Sequence, residues 1–185
     1  FDDVFTLAHE AGHSMHTYFS NTYNEPHNAG YTIFVAEVAS TVNELLMAHR
    51  KLAECKSDEE KLYILNELMD TYKGTLYRQT MFAEFEREIG RMSERGEALT
   101  ADALSAKYHE LNKLYFGPDM VSDDGIALEW ARIPHFYNAF YVYQYATGYS
   151  AATAISSKIL NEGTEARDNY IEFLKSGSSN YPVEL

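Results

Sequence analysis

The chain has a single cysteine, Cys55, so no disulfide can form within it, and a lone thiol points to a reducing compartment, the cytoplasm. No run of about eighteen apolar residues occurs, which argues against a membrane-spanning helix. Positive charge is scarce. Fifteen Lys and Arg against 28 Asp and Glu leave a net charge of −13, the wrong sign for displacing the counterions of a nucleic acid. Clean alternation of apolar and polar residues is rare, so little or no sheet is expected. Internal repeats and low-complexity tracts are not evident either. What is present, 185 residues of 45% hydrophobic content, suffices for one sizeable core. The expectation is a single all-α, multi-helix domain over residues 1–185.

The helices can be placed from punctuation and periodicity. Asp2 and Asp3 can cap and charge a helix start, and Val4, Phe5, Leu7, Ala8, Ala11, Met15 and Tyr18 follow at helical spacing, predicting a helix over residues 3–20. Asn21 to Gly30 break it, and a second helix runs from about Thr32 to Cys55. Ser57 and Glu60 form a capping-box pattern before a third, which Gly74 interrupts and which resumes through Glu94. Thr100 caps another, ending at Gly117-Pro118. After a polar loop, Val121 to Ile126, a tyrosine-rich helix is predicted from Asn138 to Asn161 and a last one from Thr164 to Lys175.

Chemistry concentrates in His9-Glu10-Ala11-Gly12-His13. Residues four apart share a helix face, so His9 and His13 can offer an imidazole nitrogen each to one zinc ion. Glu10, beside that face, can reach a water whose pKa the metal has lowered to about 7 and take its proton during attack on a carbonyl. In shuffled chains of this composition the pattern arises in about 3 per cent of cases, so it is a strong signal that still needs a third ligand. Glu37 stands among Ile33, Phe34, Val35, Ala36, Val38 and Ala39, and a carboxylate in such company needs a partner. Glu44, seven residues on and near the same helical face, competes as ligand or as acceptor for the N–H of a ligating histidine.

The motif, the spacing to Glu37 within Ile-Phe-Val-Ala-Glu-Val-Ala-Ser, and the C-terminal segments Trp130 to Tyr137 and Tyr141 to Gly148 resemble the oligoendopeptidase F branch of the thimet-type (M3) metallopeptidases. The resemblance covers essentially the whole chain. It implies that His9, His13 and Glu37 bind one zinc ion and that Glu10 is the general base. It also implies oligopeptide substrates and, because family members are much longer, an N-terminal region that closes a channel over the zinc. Phe1 is no initiator methionine and the motif arrives at residue 9, so the chain reads as a catalytic fragment.

Tyr137, Tyr141 and Tyr145 fall at i, i+4 and i+8, which would align three phenol hydroxyls on one helix face, suited to donating to a developing oxyanion. His135 can do likewise. In the wider family a histidine and nearby tyrosines perform this task, although Gln144 stands where a tyrosine would be sought. An aromatic core stripe with wet hydroxyl tips is the plainer alternative. His16 reads as a packed histidine, His27 as a loop residue near substrate at most, and Arg132 as a salt-bridge partner or a clamp for a peptide carboxylate. The leading functional expectation is a zinc endopeptidase. A zinc carboxypeptidase of related helical build, or a helical interaction domain with a vestigial site, are the alternatives.

Overall fold

The structure, a computed structural model, describes residues 2–185, with the backbone alone at Asp2, so the cap expected from that side chain lies outside the described residues. Among the described residues there is no strand: the chain is all-α. The described residues group into two compact units, 2–71 with 147–185, and 72–146.

In the first unit, α1 (Asp2–Tyr23) and α2 (Ile33–Glu54) form a helical hairpin. Val35, Val38, Ala39, Val42, Leu45 and Ala48 recur at helical spacing and are buried, which is why this stretch is a helix with one side committed to the core. The two helices run antiparallel: Asn43 donates to the Ala8 carbonyl at 3.2 Å, while nearer the other end of the pairing His13 faces Glu37. Their closeness is set by Gly12, where an added Cβ would lie 2.5 Å from the Ser40 Cα and 2.6 Å from the Ala39 oxygen. α3 (Asp58–Thr71) starts on the expected capping pattern, Ser57 Oγ accepting from the Glu60 N–H and the Glu60 carboxylate from the Lys56 N–H. The unit is completed by the greater part of α6 (Tyr143–Glu162) and by α7 (Thr164–Lys175), separated by Gly163 at φ 76°. A C-terminal segment is tied back to the loop after α1, with Asn24 donating to the Lys175 carbonyl and the Ser178 N–H to the Asn28 carbonyl.

The second unit opens with a π-helical stretch, Tyr72–Tyr77, containing the glycine expected to interrupt the helix. α4 (Arg78–Glu94) and α5 (Ala101–Phe116, with Thr100 Oγ accepting from the Ala103 N–H) follow, then two short 3₁₀ helices, Ile126–Arg132 and Pro134–Tyr137. Met81, Phe82, Phe85, Tyr108, Leu111, Ile133 and Val142 make its core. Buried Glu129 accepts from Tyr108, Arg78 and Arg132, so Arg132 is a salt-bridge partner. Burial opposes charge on Glu129, but the Tyr108 hydrogen bond and the Arg78 guanidinium hold its carboxyl below the usual range.

The helix expected from Asn138 does not form there. Phe140 has φ 58°, a left-handed conformation that a right-handed helix cannot include, and α6 begins only at Tyr143. The tyrosines therefore do not share one helix face: Tyr137 ends a 3₁₀ helix, Tyr141 lies in the connecting loop, and Tyr145 alone belongs to α6.

A candidate metal centre and an aromatic cluster

His9 and His13, one turn apart on α1, face Glu37 on α2. Their Nε2 atoms are 3.1 Å apart, and the Glu37 Oε2 lies 3.5 Å from the first and 3.8 Å from the second. Three ligands of a tetrahedral zinc ion held at about 2.0–2.1 Å stand about 3.3 Å from one another, so a triangle with these sides fits such an ion. Among the described residues this is the one group of three or more His, Cys, Asp or Glu side chains that can converge on a metal. Two nitrogens and one carboxylate oxygen also match the donor preference of zinc.

The surroundings orient this set. Glu44 takes the other side of His9, accepting a hydrogen bond from Nδ1. An ionised carboxylate only accepts, so in the neutral ring the proton is on Nδ1 and the Nε2 lone pair points into the triangle. The hydrogen bond with Glu44 and that negative charge raise the His9 pKa against the opposing effect of burial. Glu44 is thus placed as partner of a histidine, outside the triangle. Ser40, fully buried, donates to the Glu37 carboxylate at 3.3 Å and to the Glu37 carbonyl at 3.1 Å. Glu10 is exposed, and its carboxylate is paired with no described residue. A cavity of about 370 Å³, lined in part by Phe5, His9, Glu44, Leu45, Glu67 and Leu68, opens on the Glu44 side of His9.

His16 is no part of the triangle. It is buried beneath α1, stacked on Tyr31 at 3.7 Å between ring centroids, and burial pushes its pKa down to about 4. His27 sits exposed in the loop between α1 and α2.

In the second unit, His135 stacks on Tyr141 with centroids 5.5 Å apart, and Tyr145 meets both edge-on at 6.0 and 5.6 Å. The Tyr141 and Tyr145 hydroxyls share a hydrogen bond of 3.3 Å. Tyr137 is 90% exposed and stays out of this cluster. Three of the four aromatic candidates thus come together, by a loop instead of a helix face.

A model of peptidase family M3 matches residues 1–185. The chain belongs to that family. It is 53% identical over 184 residues to the oligopeptidase PepF of Bacillus subtilis, and 48% identical over 185 residues to the plasmid oligoendopeptidase F of Lactococcus lactis subsp. cremoris. The whole chain is matched in both cases, but only 28% and 31% of those relatives. The crystal structure of oligoendopeptidase-F from Enterococcus faecium superposes with a TM-score of 0.85 at 48% identity, covering 99% of this chain and 33% of that one. The chain therefore spans about a third of the length of its family relatives.

Sequence alone missed three contributors. Gly12 is a spacer within the motif, yet its missing Cβ permits the helix approach. Ser40 stands three residues after Glu37, one helical turn away, a signal that was available. Glu86 accepts the Phe140 N–H across 54 residues, and no local pattern announces it.

Proposed function

We propose that the protein is a zinc-dependent endopeptidase that hydrolyses internal bonds of short to medium oligopeptides. The observation that carries this reading is the triangle of His9 Nε2, His13 Nε2 and Glu37 Oε2 beside an unpaired Glu10. One zinc ion per chain is held by these three side chains. When bound, it polarises the scissile carbonyl and lowers the pKa of a water. Glu10 takes the proton of the attacking water and passes it to the leaving amine. Glu44 keeps His9 in the tautomer that presents Nε2, and Ser40 steadies the Glu37 carboxylate. His135 and Tyr141 are the first choice as donors to the oxyanion and Tyr145 and Tyr137 the second, on the chemistry of an imidazole and phenol hydroxyls and on the resemblance to the family.

The cavity beside His9, mostly apolar with Glu67 in its wall, suits a side chain of the substrate. Restriction to oligopeptides rests on sequence outside these 185 residues, since relatives carry about twice as much again. Cys55, partly buried and unpaired, fits a cytoplasmic setting. No described helix is long and apolar enough to cross a membrane.

The test is Glu10→Gln in the full-length protein, with zinc content and hydrolysis of an internally quenched peptide measured together. One zinc per chain with hydrolysis reduced by about 100-fold or more is expected. Unchanged hydrolysis would remove Glu10 from the reaction, and no zinc in folded wild type would remove the metal. Loss of cleavage when the peptide's C-terminus is amidated would move the activity to a carboxypeptidase.

A further inference from the structure

Glu86 on α4 is a buried carboxylate without a cation: among the described residues its one hydrogen bond is the 2.9 Å bond it accepts from the Phe140 N–H. Phe140 is in turn the one described non-glycine residue with positive φ, and its own side chain is 68% exposed, so side-chain packing does not explain the conformation. The two ends of the loop are fixed independently, by buried Ile133 and Val142 in the unit's core and by Phe136 against Phe82 and Phe85. What the core leaves undetermined is the path between them, and there, among the described residues, the one hydrogen bond to a residue far away in sequence runs from the Phe140 N–H to Glu86.

That path decides the aromatic cluster. If residues 138–142 continued the helix, Tyr141 would line up with Tyr137 and Tyr145, while His135, six positions earlier, would point to a different face. The left-handed turn at Phe140 brings Tyr141 onto His135 instead. Strained backbone held by a buried polar anchor is a recurrent feature of functional sites, because relaxation would move the group the strain positions. Burial pushes the Glu86 carboxyl up, and the Phe140 N–H draws it back down, as expected of a carboxylate retained for one interaction.

We propose that Glu86 is a positioning residue: it holds Phe140 in the left-handed conformation and thereby sets Tyr141 against His135. Its catalytic consequence rests on the reading that His135 and Tyr141 assist hydrolysis. The experiment compares Glu86→Gln, Glu86→Ala, Glu86→Ala with Phe140→Asn, and Tyr141→Phe in the full-length protein. Steady-state kinetics on a quenched peptide, thermal melting and hydrogen exchange of amides 138–142 are recorded for each. The Gln variant, whose amide oxygen still accepts, should stay close to wild type. The Ala variant should lose kcat by about 10- to 100-fold with little change in KM, and its loop amides should exchange faster. Adding Phe140→Asn should restore part of both, because Asn enters the left-handed region more readily than Phe. Wild-type kcat and exchange in Glu86→Ala, or a loss that Asn does not relieve, would overturn the proposal. If Tyr141→Phe leaves kcat unchanged, the oxyanion reading falls by itself, and exchange with its rescue by Asn then decides the role of Glu86.

Discussion

Glu44 accepts the Nδ1 proton of His9, and that one bond determines which nitrogen of His9 keeps its lone pair. Nε2 is left facing His13 and Glu37. Glu37 and Glu44 are seven residues apart on α2, on nearly the same face, yet they meet opposite sides of one imidazole.

Two substitutions separate these roles. Glu44→Ala should weaken zinc binding by about 10- to 100-fold, the usual effect of removing a partner that orients a ligand. Glu37→Ala should remove a ligand and abolish stoichiometric binding under the same conditions. Competition with a chromophoric chelator gives both numbers. Equal losses would mean that Glu44 contributes as a ligand.

Gly12→Ala should disrupt the same centre without touching a polar group. Its Cβ would fall within 2.6 Å of α2 backbone atoms, which cannot swing aside as a long side chain can. A destabilisation of about 1–3 kcal/mol is expected from overpacking, together with weaker zinc affinity as the two helices part. Thermal melting and the chelator titration check both effects, and a variant as stable as wild type would show that the helices have room to separate.

The neutral state of His16 has a pH signature. Its pKa lies near 4 in the folded protein, because of burial first and the nearby His13 second, against 6.5 for an unhindered histidine. The unfolded chain therefore binds this proton first as pH falls. Stability from this group is complete above pH 6.5, declines below it, and levels off near pH 4, a loss of roughly 3 kcal/mol. His16→Phe keeps a ring beside Tyr31 and removes the titration. Urea unfolding between pH 7 and 4 should thus show a shallower decline in the variant, and parallel curves would contradict the assignment.

Glu129 should matter to the second unit far more than its surface counterparts. It serves Tyr108, which is fully buried, along with Arg78 and Arg132. Glu129→Ala strands the buried Tyr108 hydroxyl and takes the carboxylate from Arg78, while the largely exposed Arg132 is compensated by water, so a cost of about 1–3 kcal/mol is expected, set mainly by the hydroxyl. Glu97→Ala, which breaks an exposed pair with Arg95, should leave stability close to wild type. Calorimetry on the two variants compares them directly.

Local pattern accounts for much of the fold. α7 occupies the predicted residues 164–175, and the ends of α2 and α5 lie within a residue of the expected stops, because caps, glycines and a 3.6-residue period act over neighbouring positions. The pairing of His9 with His13 is of the same kind, being a property of one helix. The region from 126 to 142 behaves differently. Its composition suits a helix that begins at Asn138, and the propensity is overruled at Phe140 by a carboxylate 54 positions earlier in the chain.

The sequence by itself determined that two imidazoles and a carboxylate share one stretch of helix, and that two further carboxylates lie on a common face of the next. Only the tertiary structure decided which of those two meets Nε2 and which Nδ1, since that depends on how closely and in what direction α1 and α2 cross. Gly12 settles the closeness through an atom it lacks, and no helical period encodes the register between two separate helices.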